Sequence, residues 1–292
     1  MTQGLKEPKV WLITGALTGF GRLMTQLVLS HGDSCVATSL DPSALQDLST
    51  QYGTKLLNLH LDVTDASGIK SVFSAAKAHF GRLDVVYNNA GLGFYGVVES
   101  VPEEAARKLF DVNFWAVVAV SKEAVRFFRD ENPTKGGKLF IMSSTVGLWP
   151  ISQIGHYAAT KHAVEAVTLS MMRELKPEWN IQTTLVEPGW FLTPILGKSS
   201  GRWYDCPELY GGDERTGLRI KGIGKPGDPE KAVELIYSVA QREKLPEHLP
   251  IGELVIKSLR SLAKRWTAVA DEWEVEGGKT EFGEGTPLDV LD

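Results

Sequence analysis

The 292-residue chain is long for one domain but within reach of α/β folds that form a single unit. Its 31 basic and 36 acidic side chains leave a net charge of −5 with no basic cluster, which excludes nucleic acid and anionic membrane surfaces as expected partners. Two cysteines, Cys35 and Cys206, cannot build a disulfide framework, and the polar residues 1–9 lack the apolar core of a secretion signal, so the cytoplasm is the expected location.

Strands and helices alternate along the chain. Residues 10–14 read as a buried strand, a glycine-rich turn follows, and a helix is predicted over 20–31. A second strand over 34–39, with Cys35 as a small core residue, leads to a short helix over 42–52 and a third strand over 55–61. An amphipathic helix over 66–80 and a fourth strand over 83–87 come next. One long helix is predicted over 102–129, with Pro102 suited to its first turn. It holds the longest apolar run, 114–120, far too short to span a membrane. A strand over 138–142, a helix over 157–175 ended by Pro177, and a strand over 181–187 continue the alternation. This pattern predicts an α/β fold: a single doubly wound Rossmann domain over residues 1–292, with a mostly parallel seven-stranded sheet covered on both faces.

The regularity lapses after Pro188. Residues 189–226 carry many glycines and aromatics with little periodicity, and a stretch of that length is expected to act as a substrate-binding lid. Order resumes with a helix over 228–241, a short strand over 249–251 and an amphipathic last helix over 254–273. The glycine-rich, acidic tail over 277–292 is expected to be disordered.

The turn after the first strand reads Thr14-Gly15-Ala16-Leu17-Thr18-Gly19-Phe20-Gly21. Glycine is needed where the chain turns sharply and its N–H groups must approach a pyrophosphate, and the helix N-terminus adds partial positive charge. The spacing is G-x-x-x-G-x-G rather than G-x-G-x-x-G. Its strand–turn–helix context at the start of an α/β pattern nevertheless points to a dinucleotide.

Tyr157 and Lys161 are four apart on a predicted helix and share one face. A phenol exchanges protons poorly at neutral pH, and a nearby ammonium would lower its pKa into a useful range. Ser144 ends a predicted strand, where sheet edges meet ligands in α/β folds, and its hydroxyl could hydrogen-bond a substrate oxygen. The six histidines show no ligand spacing, and no metal is expected. His156 and His162, beside the pair, read as surface or packing residues.

Taken together, these residues resemble the classical short-chain dehydrogenase/reductase (SDR) family over nearly the whole chain. The resemblance rests on Thr14-Gly15 with Gly19 and Gly21, Asp62-Val63 after the third strand, and Asn88-Asn89-Ala90-Gly91 after the fourth. Asn113 in the long helix, Ser144 thirteen residues before Tyr157, Lys161, and Pro188-Gly189 with Thr193 complete it. It implies an oxidoreductase that moves a hydride between NAD or NADP and a carbonyl or alcohol. Tyr157 would be the general acid/base, Lys161 would tune it and hold the nicotinamide ribose, and Ser144 would polarise the carbonyl. Asn113 would hold a water connecting Lys161 to solvent. The implied cofactor contacts are Gly15, Leu17, Thr18, Gly19, Phe20, Gly21, Val63, Ala90, Gly91 and Gly189. Asp62 would meet the adenine, Asn89 the adenosine ribose side, and Pro188, Phe191 and Thr193 the carboxamide. The resemblance also implies a homodimer or homotetramer paired through the long helices. A non-catalytic NAD(P)-binding regulatory protein on the same fold is the alternative, against which the intact Ser144, Tyr157 and Lys161 argue.

In that family an acidic residue closing the second strand favours NAD, and an arginine just beyond it favours NADP. Here Ser39 and Leu40 hold those places, followed by Asp41, and Thr18 is neutral. Asp41 at the ribose would repel a 2′-phosphate and leans the choice to NAD, whereas Asp41 as the mere start of a turn before Pro42 would not. Phe94, Tyr95, Leu148, Trp149, Ile151, Trp190, Trp203 and Tyr204 suggest a roomy apolar pocket, with core packing as the competing reading of each aromatic. Such a pocket suits a lipophilic ketone, aldehyde or secondary alcohol.

Overall fold

The computed structural model describes residues 7–196, 204, 207–210 and 225–280. Seven strands among them form one sheet: β1 (Val10–Thr14), β2 (Ser34–Ser39), β3 (Leu56–His60), β4 (Val85–Asn88), β5 (Gly137–Met142), β6 (Ile181–Pro188) and β7 (His248–Ile251). Their order is β3-β2-β1-β4-β5-β6-β7, and every ladder is parallel. Successive side chains on a strand point to opposite faces. In β1, Trp11 and Ile13 join one core while Val10 and Leu12 join the other, and all four are buried. Burial on both faces is why these strands read as unbroken apolar runs.

Helices α1 (Gly19–Ser30), α2 (Gln46–Tyr52) and α7 (Pro229–Ala240) cover the first face with Met24, Val28, Leu48 and Ile236. The second face is covered by α3 (Ala66–Phe80), α5 (Ala116–Asp130) and α6 (Gly155–Glu174), through Phe73, Phe127 and Val164. Asp65 and Asp228 cap α3 and α7 by accepting from the amides of Ser67 and Glu230. Since β2 and β3 lie on one side of β1 and β4–β7 on the other, the connections diverge between β1 and β4. At such a point a crevice opens beyond the carboxyl ends of the strands.

The structure departs from the sequence reading in places. The predicted helix over 42–52 begins as a 3-10 turn, Pro42–Leu45, before α2. The single long helix is three pieces: α4 (Glu103–Phe110), a π turn at Asp111–Trp115, and α5. A π turn adds a residue to the helical repeat, and such insertions concentrate at functional sites. The last helix, α8 (Glu253–Gly277), runs past its predicted end, and a 3-10 turn at Gly278–Thr280 follows where disorder was expected. Residues 281–292 of that tail lie outside the described residues, as do 197–203, 205–206 and 211–224 of the expected lid. No helix among the described residues is long and apolar enough to cross a membrane.

Candidate active site

A cleft of about 1230 Å³ opens at the carboxyl edge of the sheet, between the loops that follow β1, β3, β4, β5 and β6. Its floor is the turn into α1. Gly15 and Gly19 have φ of +70° and +54°, which side-chain-bearing residues rarely adopt. A Cβ on Gly15 would stand 2.9 Å from the Ala90 Cα, so the β1 and β4 loops touch through glycine. They are also tied by hydrogen bonds: Thr14 Oγ1 accepts from the amides of Asn89 (2.9 Å) and Ala90 (3.0 Å), and Asn89 Nδ2 donates to the Thr14 carbonyl (2.9 Å). At the start of α1, Thr18 makes no side-chain cap and the first turn carries no acidic residue. Its amides therefore meet no competing side-chain anion, and the glycine cradle fits a dinucleotide pyrophosphate.

Most of the residues expected to hold the cofactor border this cleft: Gly15, Leu17, Thr18, Gly19 and Phe20 below, Asp62 and Val63 after β3, and Asn89, Ala90 and Gly91 after β4. Pro188, Gly189, Phe191 and Thr193 border it after β6. Asp62 accepts from the Thr64 amide and hydroxyl at 2.9 and 2.8 Å, which holds its carboxyl below the usual range and keeps it ionised at neutral pH. Gly21 does not line the cleft. A Cβ there would lie 2.2 Å from the Gly15 carbonyl oxygen, so this glycine lets α1 close against the turn.

Ser144, Tyr157 and Lys161 meet in the same cleft. Ser144 follows β5 and caps a 3-10 turn by accepting from the Val146 amide (3.3 Å). Tyr157 and Lys161 lie a turn apart on α6, both buried, with the Lys161 Nζ 5.8 Å from the centre of the phenol ring. The lysine donates to the Met142 carbonyl at the end of β5 (2.8 Å). Burial pushes the Tyr157 phenol up to about 12, while the neighbouring Ser144 hydroxyl pulls it down. Burial also pulls Lys161 down to about 8, opposed by Glu165. The expected lowering of the Tyr157 pKa is thus not found in this structure. The Lys161 ammonium is bound to a backbone carbonyl rather than to the phenol, so desolvation dominates at Tyr157.

Asn113 sits on the π turn, fully buried and outside the cleft wall. Its Nδ2 donates to the Leu92 carbonyl (2.8 Å) and to Thr160 Oγ1 (3.3 Å), and its Oδ1 accepts from the Leu92 amide (2.7 Å). The side chain ties the loop after β4 to α6. Asp41 also falls outside. Its carboxylate accepts from the Ser43 amide (3.0 Å) and hydroxyl (2.6 Å) and caps the 3-10 turn, while Ser39 and Leu40 form the rim.

Of the residues expected in the substrate wall, some border the cleft and others do not. Tyr95, Trp149, Ile151 and Trp190 line the cleft. Phe94 is a core residue, edge-on to Tyr204 at 5.1 Å, and Leu148 lies outside the lining. Trp203 and Cys206 belong to the residues not described. The last helix was expected from the sequence but its part in the site was not: α8 brings Leu254 and Ser258 to the cleft and sets the Arg265 guanidinium 5.8 Å from the Trp149 ring. No motif marks these positions; they meet the site only because β7 ends beside the β6 loop, where the Gly189 amide donates to the Ile251 carbonyl (2.8 Å).

Comparison with known proteins agrees with this geometry. A family model described as short chain dehydrogenase matches residues 9–202. An uncharacterised oxidoreductase of Schizosaccharomyces pombe is 35% identical over 275 residues, 90% of this chain and 87% of its own. A 3-ketodihydrosphingosine reductase of Bacteroides thetaiotaomicron is 30% identical over 268 residues, 89% of this chain and 93% of its own. Among solved structures, a short-chain dehydrogenase from Streptomyces avermitilis has a TM-score of 0.84 at 29% identity, covering 94% of this chain and 100% of that one.

Proposed function

The chain belongs to the short-chain dehydrogenase family, and we propose that it is an NAD(P)-dependent oxidoreductase acting on a lipophilic ketone, aldehyde or secondary alcohol. The observation that carries the reading is the meeting of Ser144, Tyr157 and Lys161 in one cleft with the glycine-cradled N-terminus of α1. A bound nicotinamide would supply or accept the hydride. The α1 turn would hold the pyrophosphate, Asp62 the adenine end, and the Pro188–Thr193 segment the carboxamide. Ser144 donates to the substrate oxygen and holds it against the Tyr157 hydroxyl, which gives up its proton as negative charge grows on that oxygen. Lys161 stabilises the phenolate left behind and returns a proton to it. In alcohol oxidation the same proton moves the other way.

Tyr95, Trp149, Ile151, Ile154, Trp190 and Leu254 make the nearby wall apolar and aromatic, which favours a lipophilic substrate. The similarity to a reductase named for a sphingoid ketone points in the same direction. For the cofactor, NAD is the preferred form. Among the described residues the rim at Ser39 and Leu40 offers a 2′-phosphate no free cation, and the guanidinium of Arg22 is engaged by Asp47 (2.6 Å) and the Ala44 carbonyl (2.7 Å). Asp41 adds nothing to this preference, since its carboxylate serves the turn. A panel of carbonyls and alcohols run with both cofactors tests the proposal. Turnover of apolar carbonyls with NADH above NADPH is expected; no cofactor consumption with any member rejects it.

A further inference from the structure

One turn beyond Lys161, α6 carries Glu165, which packs with Glu187 of β6 and His248 of β7 in a group outside the cofactor cleft. Glu165 is 6% exposed and Glu187 fully buried. Among the described residues no donor reaches either oxygen of Glu165, or Glu187 Oε2, in hydrogen-bond geometry, although the Ser143 hydroxyl lies near enough to Glu165 to favour its charged form. Glu187 Oε1 lies 2.5 Å from His248 Nδ1, and one ligand-type atom from each of the three lies within 4.8 Å of the others. The His248 side chain is 41% exposed, on the edge strand of the sheet. A chain of titratable groups therefore runs from solvent to the residue next to Lys161 on its helix face.

The physics of burial decides what this group holds. A carboxylate buried without donors is costly, and two so close together cannot both stay charged. The pair must therefore retain a proton. Burial, with the Glu187 charge adding to it, pushes Glu165 up to about 7 against the opposing effects of Ser143, His248 and Lys161. Burial likewise raises Glu187 against its bond to His248. A metal ion would arrange the three differently, since donors on one tetrahedral ion stand roughly 3.3 Å apart. The 2.5 Å contact is that of a hydrogen bond.

We propose that His248, Glu187 and Glu165 form a proton path that joins solvent at the β7 edge to Lys161. Ser143 stands at the inner end: it follows Met142, whose carbonyl takes the Lys161 bond, and its Oγ is buried without a hydrogen-bond partner, next to Gly147 and Glu165. The inference rests on the acid/base roles of Tyr157 and Lys161 given above. In carbonyl reduction the Tyr157 O–H bond breaks and its proton goes to the substrate oxygen. The Lys161 ammonium then gives a proton to the phenolate. The neutral amine takes one from the Glu165 carboxyl across the Ser143 hydroxyl, and Glu165 is refilled through the Glu187 carboxylate, which takes the His248 Nδ1 proton and passes it on. The imidazole takes a proton from water at Nε2. One proton enters per turnover and leaves the imidazole as its Nε2–H tautomer; rotation of the half-exposed ring turns an N–H back to Glu187 and restores the starting state, and alcohol oxidation runs the chain outward. The three residues touch no substrate and act through Lys161.

Two measurements test the path, one of which needs no turnover. Infrared spectra of the cofactor-free protein near pH 6 should contain a buried protonated-carboxyl band that Glu165→Gln abolishes. In steady state, Glu165→Gln and His248→Ala should each lower kcat by at least about tenfold with KM unchanged, and raise the solvent deuterium isotope effect. Added imidazole should restore His248→Ala, because the site it vacates opens to solvent, but not Glu165→Gln. A wild-type spectrum without the band, or a His248→Ala variant that imidazole leaves unrescued, overturns the path. If the band is present and no carbonyl or alcohol is turned over, it is the oxidoreductase reading that fails, and the link to Lys161 with it.

Discussion

A methyl group added at Gly21 would stand 2.2 Å from the Gly15 carbonyl oxygen, and backbone cannot swing aside as a long side chain can. Gly21→Ala should therefore push α1 off the β1 turn, lower stability by on the order of 1–3 kcal/mol and weaken nicotinamide binding. Thermal denaturation and cofactor fluorescence titration check both effects, and unchanged binding would mean that the cradle does not need this closeness. At Tyr157 the change to Phe keeps the packing and removes the proton, so kcat should fall about 10²–10⁴-fold while the cofactor still binds. Ser144→Ala removes a hydrogen-bonding group only and should cost less; rapid-mixing kinetics with a carbonyl substrate separates the two. Ser144, Tyr157 and Lys161 were legible because the last two share a helix face and Ser144 comes just after a strand. Asp41 was misleading, since a carboxylate two residues before a serine finds its partner locally. The group of Glu165, Glu187 and His248 left no local trace. It depends on the β6–β7 register, in which His248 pairs with Leu185 and Glu187 lies two residues on, facing the same side.

At the scale of elements, the strands were readable because both faces are buried, while helix interruptions were not. Residues 102–129 keep apolar side chains at helical spacing straight through the π turn, so nothing in the pattern distinguishes three pieces from one. What holds the turn is tertiary: Asn113 bonded to both backbone groups of Leu92 and to Thr160. Asn113→Ala would leave those buried partners unpaired, at a cost of about 1–3 kcal/mol. It should also lower kcat by loosening the loop that carries Gly91 beside the lysine. Urea denaturation gives the first quantity and steady-state rates the second; a variant as stable as wild type would assign the π turn to helix packing alone.

For the molecule as a whole, the two cores share one continuous sheet, so neither can unfold while leaving the other's strands paired. A single cooperative transition is expected in calorimetry, with calorimetric and van't Hoff enthalpies in agreement; two separated peaks would divide the proposed single domain. The surface of α5 and α6 bears on assembly. Val164 is buried in the core, but Val118, Val167 and Leu169 are half-buried and Trp115 is 60% exposed. Covering them between two copies is the expected use, so sedimentation velocity at micromolar concentration should give a dimer or tetramer; a monomer would leave this face to solvent.

The last helix, α8, has 25 residues, about 37 Å of helix, and Val255 is its one buried side chain. Leu254 and Ser258 touch the cleft and Arg265 reaches Trp149, whereas Trp266, Trp273 and Val275 stand in solvent. Beyond Arg265, among the described residues, little besides the helix's own ladder of hydrogen bonds opposes fraying. Amide hydrogens there should exchange with deuterated solvent far sooner than that of Val255, in a gradient along the helix axis. A ligand filling the cleft should slow exchange in the first turns and leave the outer ones untouched. The point where protection stops responding would then mark, residue by residue, how far the site extends into the end of the chain.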